Sequence, residues 1–292
     1  MAGIVFAAVA PHGVALIPEL SPDADGGLTT RAAMQELGRR CAAAKPEVLV
    51  VVTPHGMRVE GAICLAAVGR AAGTLRWQGR QVELNVPVDI PLTDAIAAAA
   101  HSREIPIALA GFGGNQREQS GMPLDWGTLV PLWFLGHGRN QLGHGDVLAE
   151  VPSTDVGPSL VLISPSRKLP RTSLIEFGRC VARAAMANGR RVACIASCDW
   201  AHTHRADGPY GFSPAAALVD RLVLEAFDAG ALDSLVALPE DQAQAAAIDG
   251  LWQTLVLAGV LEEAGLRGEV LSYEAPTYFG MIVAAFQPSV AM

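Results

Sequence analysis

Charge is scarce in this chain: Asp, Glu, Lys and Arg make up 17% of its 292 residues, and aromatic residues only 5%. Basic runs are missing. With 21 Lys and Arg against 29 Asp and Glu, and a net charge of −8, no segment can follow a phosphate backbone, so nucleic acid is not expected as a partner. The uncharged stretch Met1–Pro18 has no basic leader and is interrupted by Pro11, His12 and Gly13. A second one, Ala275–Met292, contains Pro276, Gln287 and Pro288. Neither a membrane anchor nor an export signal is expected from them. The five cysteines, Cys41, Cys64, Cys180, Cys194 and Cys198, form no CxxC pair and mostly lie in apolar runs. They read as reduced core residues in a cytoplasmic protein. There is no P-loop pattern, and Gly111-Phe112-Gly113-Gly114 lacks dinucleotide-loop spacing, so a nucleotide cofactor is not expected.

What the chain does have is apolar residues, 51% of the total, enough to fill a core. Short β-branched or Ala-rich runs predict strands over Gly3–Ala10, Glu47–Thr53, Gly61–Val68, Ile105–Ala110, Ser159–Ser164, Arg191–Ala196, Glu269–Tyr273 and Met281–Phe286. Helical periodicity fits Thr29–Ala44, Leu92–His101, Gly127–Leu135, Leu174–Asn188, Pro214–Phe227 and Gly250–Ala264. Strands alternating with helices predict an α/β fold whose central sheet is mainly parallel and flanked by helices. No repeat, low-complexity tract or long linker divides the chain, and the turn-rich stretch Gly136–Pro158 reads as an excursion, so residues 1–292 are expected to form a single domain.

The histidines carry the functional signal. Two predicted strands end in the same triplet, Pro11-His12-Gly13 and Pro54-His55-Gly56. In a parallel sheet the carboxyl ends of the strands share one edge, which is where ligand sites form. Proline stops the strand, glycine lets the chain turn beside the imidazole, and two such turns predict a shared metal at that edge. A third strand runs into Ser197-Cys198-Asp199-Trp200-Ala201-His202-Thr203-His204, where a histidine can ligate the metal or act as a base. His101, His137 and His144 lie near predicted helix ends or in loops and read as solvated, while Trp133 and Trp252 read as core. Asp207-Gly208-Pro209-Tyr210-Gly211 is a turn that can also wall a pocket after His202.

These motifs, with Leu124-Asp125-Trp126-Gly127-Thr128-Leu129-Val130-Pro131-Leu132 between them, resemble the LigB-like class III extradiol ring-cleavage dioxygenases over Ala10–Phe286. That superfamily includes the catalytic subunits of protocatechuate 4,5-dioxygenase and 2-aminophenol dioxygenase, and the Memo proteins. The resemblance implies a mononuclear non-haem Fe(II) held by two histidines and a carboxylate, with O2 and a small aromatic ring as substrates. His12 and His55 would be the imidazole ligands. Asp249 stands where relatives place the third ligand, with Glu274 as the alternative; the other reading of Asp249 is a helix N-cap. His202 matches the family acid/base, and His204 is expected behind it or facing substrate. Relatives often have Asp-His-Gly where this chain has Asp125-Trp126-Gly127, which replaces a titratable donor with an indole that either packs in the core or stacks on a ring. The resemblance therefore implies an extradiol dioxygenase. A zinc hydrolase on the same ligands, or a Memo-like binding protein, are the alternatives. Superfamily members often form dimers or pair with a second subunit.

Overall fold

The computed structural model describes residues 2–22, 27–137 and 157–288. Most of the expected Gly136–Pro158 excursion, and His144 within it, lies outside the described residues.

In chain order the elements are β1 (Gly3–Ala10), α1 (Leu28–Ala44), β2 (Val48–Val52), β3 (Ile63–Ala66), β4 (Arg70–Trp77), β5 (Arg80–Pro87), α2 (Ile90–His101), β6 (Ile107–Ala110), β7 (Gly121–Pro123), α3 (Trp126–Leu132), β8 (Ser159–Ser164), α4 (Arg171–Asn188), β9 (Arg191–Ser197), α5 (Ala215–Asp228), α6 (Glu240–Ala245), α7 (Leu251–Ala264), β10 (Leu266–Glu274) and β11 (Met281–Pro288). Eight strands make one sheet in the order β10-β11-β1-β9-β2-β8-β3-β6. The middle four, β1, β9, β2 and β8, are mutually parallel. On either side the direction reverses, because β11 runs antiparallel to β1 and β3 antiparallel to β8. The sheet is thus mixed, with four parallel pairings and three antiparallel ones. The reversal at β11 comes from β10 and β11 folding back as a hairpin-like pair, with no helix between them to restore direction.

Every residue of β1 and β2 is buried. Their apolar runs are unbroken because helices or strands cover both faces of the sheet. Ala7, Val9, Val50, Val52, Cys194 and Ala196 point into one core layer, filled by α2, α4, α5 and α7. Phe6, Ala8, Leu49, Val51, Ala193 and Ile195 point into the other, filled by α1, α3 and a second sheet. That second sheet, β5-β4-β7, has no counterpart in the sequence prediction. β5 sends alternate residues Val82, Leu84 and Val86 into the core, but β4 does not alternate, and the β4–β5 turn uses Gln78 and Gly79, both at positive φ, in place of the more recognisable Asn-Gly.

α7 has no polar face over its first ten residues, Leu251–Val260 being buried without a break. It crosses α4 at backbone contact: a Cβ built on Gly178 would lie 1.9 Å from the Val256 carbonyl oxygen. Gly178→Ala should therefore cost about 2 kcal/mol of stability, readable as a lower denaturant midpoint at unchanged slope. An unchanged midpoint would show that the crossing can open.

Candidate metal centre

The parallel strands deliver side chains to one edge. His12 lies two residues past β1, His55 three past β2 and Asp199 two past β9. Asp249 arrives from the opposite direction, just ahead of α7, whose cap residue is Gly250. Asp249 is therefore not the helix N-cap, and its 5% exposure leaves its charge with protein groups as neighbours.

The donor atoms converge. His12 Nε2 and His55 Nε2 are 3.1 Å apart, and Asp249 Oδ2 lies 3.5 Å from the first and 3.4 Å from the second. With bonds of roughly 2.1 Å, cis ligands of an octahedron sit about 3.0 Å apart and those of a tetrahedron about 3.4 Å apart. Asp249 Oδ2 is buried without a hydrogen-bond partner, a position that a cation would satisfy. Among the described residues these three form the one group able to hold a metal ion. Two imidazoles and a carboxylate match the facial triad of non-haem Fe(II) sites, and the same set suits other divalent metals.

Neighbouring groups fix the donors. Ser197 Oγ donates to the Gly127 carbonyl and lies 2.9 Å from His12 Nδ1, so it accepts the Nδ1 proton and leaves the Nε2 lone pair facing the cluster. Burial lowers the His12 imidazole to about 4, which keeps it neutral and ready to ligate. Burial alone would raise the Asp249 carboxyl, but the His55 imidazole against it and the charges of His12 and Arg167 hold it below the usual carboxylate range. Arg167 donates to Asp249 Oδ1. Asp199 accepts from the His12 backbone N–H at 3.1 Å, and its other oxygen lies 3.3 Å from His12 Nε2. Burial pushes its carboxyl up to about 7.

Asp125 caps α3 through the Thr128 N–H and also accepts from Thr53 Oγ1 at 2.7 Å. Thr53 Oγ1 in turn accepts from the His55 N–H, so the helix start and the second Pro-His-Gly turn are tied together. Trp126 is not core: it is 45% exposed, with its ring stacked on His55 at 4.1 Å and 25°.

Segment 200–204 is laced to segment 278–280 by Trp200 N–H to Gly280 O, Gly280 N–H to Ala201 O and His204 N–H to Tyr278 O. This brings Phe279 face to face with His202 at 5.5 Å and places Tyr210 edge-on at 5.6 Å. His202 Nδ1 donates to the Trp200 carbonyl at 2.7 Å, so Nε2 carries the lone pair. His204 points elsewhere, 2.8 Å from Asp220, which also accepts from Tyr273 and from the Ala201 N–H.

Two expectations are corrected. Glu274, the alternative third ligand, accepts the Thr30 N–H at 2.7 Å in the first turn of α1, where a carboxylate satisfies an unpaired amide. His137, read as solvated, is 1% exposed and packs under Gly157. Trp133 and Trp252 are buried as expected. Asp199 sits inside the Ser197–His204 motif, and Arg167 stands outside every motif named above. It follows the fourth parallel strand, β8, by three residues, so the strand-end rule that found His12 and His55 also points to it.

The family model described as the catalytic LigB subunit of aromatic ring-opening dioxygenase matches residues 6–284. The chain belongs to the LigB family. A curated relative, Protein CA_C1420 of Clostridium acetobutylicum, is 26% identical over 90% of this chain. The chain spans about half, 53%, of that relative's length. Among solved structures, the uncharacterized protein JW3007 of Escherichia coli K12 is similar at a TM-score of 0.59 and 16% identity, covering 96% of this chain and 99% of that one, a likeness of fold. The LigB match includes His12, His55 and Asp249, the three residues able to hold a metal ion.

Proposed function

We propose that this LigB-family chain is a non-haem Fe(II)-dependent extradiol dioxygenase that opens a catechol-like or aminophenol-like ring with O2. The observation that carries the reading is the convergence of His12 Nε2, His55 Nε2 and Asp249 Oδ2 within 3.5 Å of one another. His12, His55 and Asp249 would hold the ion, which would bring the ring substrate and O2 together and polarise both. The protein supplies the rest. Ser197 and the Gly127 carbonyl hold His12 in its ligating tautomer, and Asp125 with Thr53 sets the turn that presents His55. His202 Nε2 accepts a proton as the ring substrate gives it up, and Phe279 and Tyr210 fix that imidazole's plane. Trp126 and Tyr210 line the approach with aromatic surface suited to a planar ring. His204 supports this arrangement from behind, through Asp220.

No helix among the described residues is long and apolar enough to cross a membrane. The five cysteines are unpaired and buried, which supports a reducing cytoplasm as the setting. Residues 1–292 are read as one domain, since both core layers share one sheet.

The test is iron analysis of anaerobically prepared protein, then oxygen uptake with a panel of catechols and aminophenols. Iron-dependent uptake of one O2 per ring opened is expected. Iron-loaded protein that consumes no oxygen with any of them would overturn the reading, and hydrolysis by zinc-loaded protein would replace it with the zinc hydrolase. A second reading, a Memo-like binding protein, is favoured by Trp126 covering one face of His55.

Asp125→Ala should lose about 1 kcal/mol of stability through its cap and roughly tenfold to a hundredfold in iron affinity through Thr53. Denaturant unfolding and competition with a chelator separate the two effects. Unchanged affinity would reduce Asp125 to a cap.

A further inference from the structure

The two oxygens of Asp249 face different neighbours. Oδ2 lies against His12 and His55, while Oδ1 is taken by Arg167. The guanidinium is itself fixed, lying over the Trp252 ring with its central carbon 4.4 Å from the centroid. Trp252 is three residues after Asp249, in the first turn of α7, so face and edge of the guanidinium are held by one short stretch of chain. The loop that carries Arg167 is pinned on both sides. Ser166 Oγ accepts from the Gly61 N–H at 3.0 Å, and Lys168 pairs with Glu60 at 2.8 Å.

A carboxylate can bind a cation through one oxygen or through both. Through both, it fills a position that an incoming substrate needs in a facial-triad site. A guanidinium hydrogen-bonded to one oxygen removes that option, since a charge-assisted bond between two such groups is among the stronger ones a protein makes.

We propose that Arg167 is a positioning residue that confines Asp249 to ligation through Oδ2 alone, keeping coordination positions open for a ring substrate that binds through two adjacent substituents. The proposal rests on the dioxygenase reading and deepens it.

The test compares wild type with Arg167→Met and Arg167→Lys, each loaded with Co(II), whose visible bands report its ligand set. Arg167→Met should bind one Co(II) per chain with altered bands, and its affinity for 4-nitrocatechol should fall about tenfold or more. Arg167→Lys, which can still donate to Oδ1, should stay close to wild type in both. An unchanged spectrum or an unchanged nitrocatechol affinity in Arg167→Met would overturn the proposal. So would loss of the metal from a folded Arg167→Met protein, because Arg167 would then hold the carboxylate in place without limiting it. If nitrocatechol fails to bind even wild type, the dioxygenase reading fails, whereas wild-type binding with no change in Arg167→Met fails Arg167 alone.

Discussion

Asp249→Ala should emerge from anaerobic reconstitution folded but without stoichiometric iron, whereas Glu274→Ala should keep its iron. Structural metal sites with four ligands bind with about 10–16 kcal/mol, so one ligand carries about 3 kcal/mol, roughly a hundredfold in affinity. Asp249 Oδ2 has no hydrogen-bond partner to lose, and removing it takes away the single carboxylate of the cluster. His12→Ala and His55→Ala should act in the same way. Little core is lost in any of the three, since the two histidines lie past strand ends and Asp249 lies in the turn ahead of α7. Glu274→Ala removes only the bond to the Thr30 amide, worth about 1 kcal/mol of stability. Iron per chain, measured beside the unfolding midpoint, distinguishes these outcomes, and full iron occupancy in Asp249→Ala would sink the triad.

His202→Ala should retain iron and still lose about a hundredfold or more in turnover, the usual scale for removing a general acid or base. The imidazole is held by the Trp200 carbonyl at one nitrogen and by aromatic rings around it, with its other nitrogen left to exchange a proton. It is absent from the metal-binding group, so iron content should not follow it. His204→Ala offers the contrast: it removes a partner of buried Asp220 and should lower stability before it touches turnover. Turnover per bound iron is the quantity to measure. Wild-type turnover in His202→Ala would place proton transfer on another group, and lost iron would make His202 a ligand.

The parts legible in the sequence were those where a local pattern and a tertiary role coincide. β1 and β8 have the predicted bounds because doubly covered strands leave unbroken apolar runs. His12 and His55 were legible because the turn that presents them has its own signature. Asp249 and Glu274 could not be separated from sequence. Both are acids in apolar surroundings, and only the docking of α7 over β9, and of β10 beside α1, decides which one meets the histidines. Arg167 and Asp199 carry no signature of their own, since their roles depend on which strands are neighbours. Trp126 was open between core and surface because a residue at a helix start has no periodicity before it. The β4–β5 hairpin was missed because its strands are half exposed and its turn is unusual.

The place of β1 in the sheet sets a timetable for synthesis. β1 is made before the other strands of its sheet, yet it lies between β9 and β11, which are made well over a hundred residues later. At about 5–20 residues per second, β1 waits roughly ten to forty seconds for β9, and longer for β11. Throughout that interval an eight-residue uncharged segment is without its native sheet partners, and α1, which packs on it in the folded protein, is the first native neighbour to follow it. The same clock governs the metal centre: His12 and His55 are made early and Asp249 late, so iron can be captured by the full ligand set only after residue 249 has emerged.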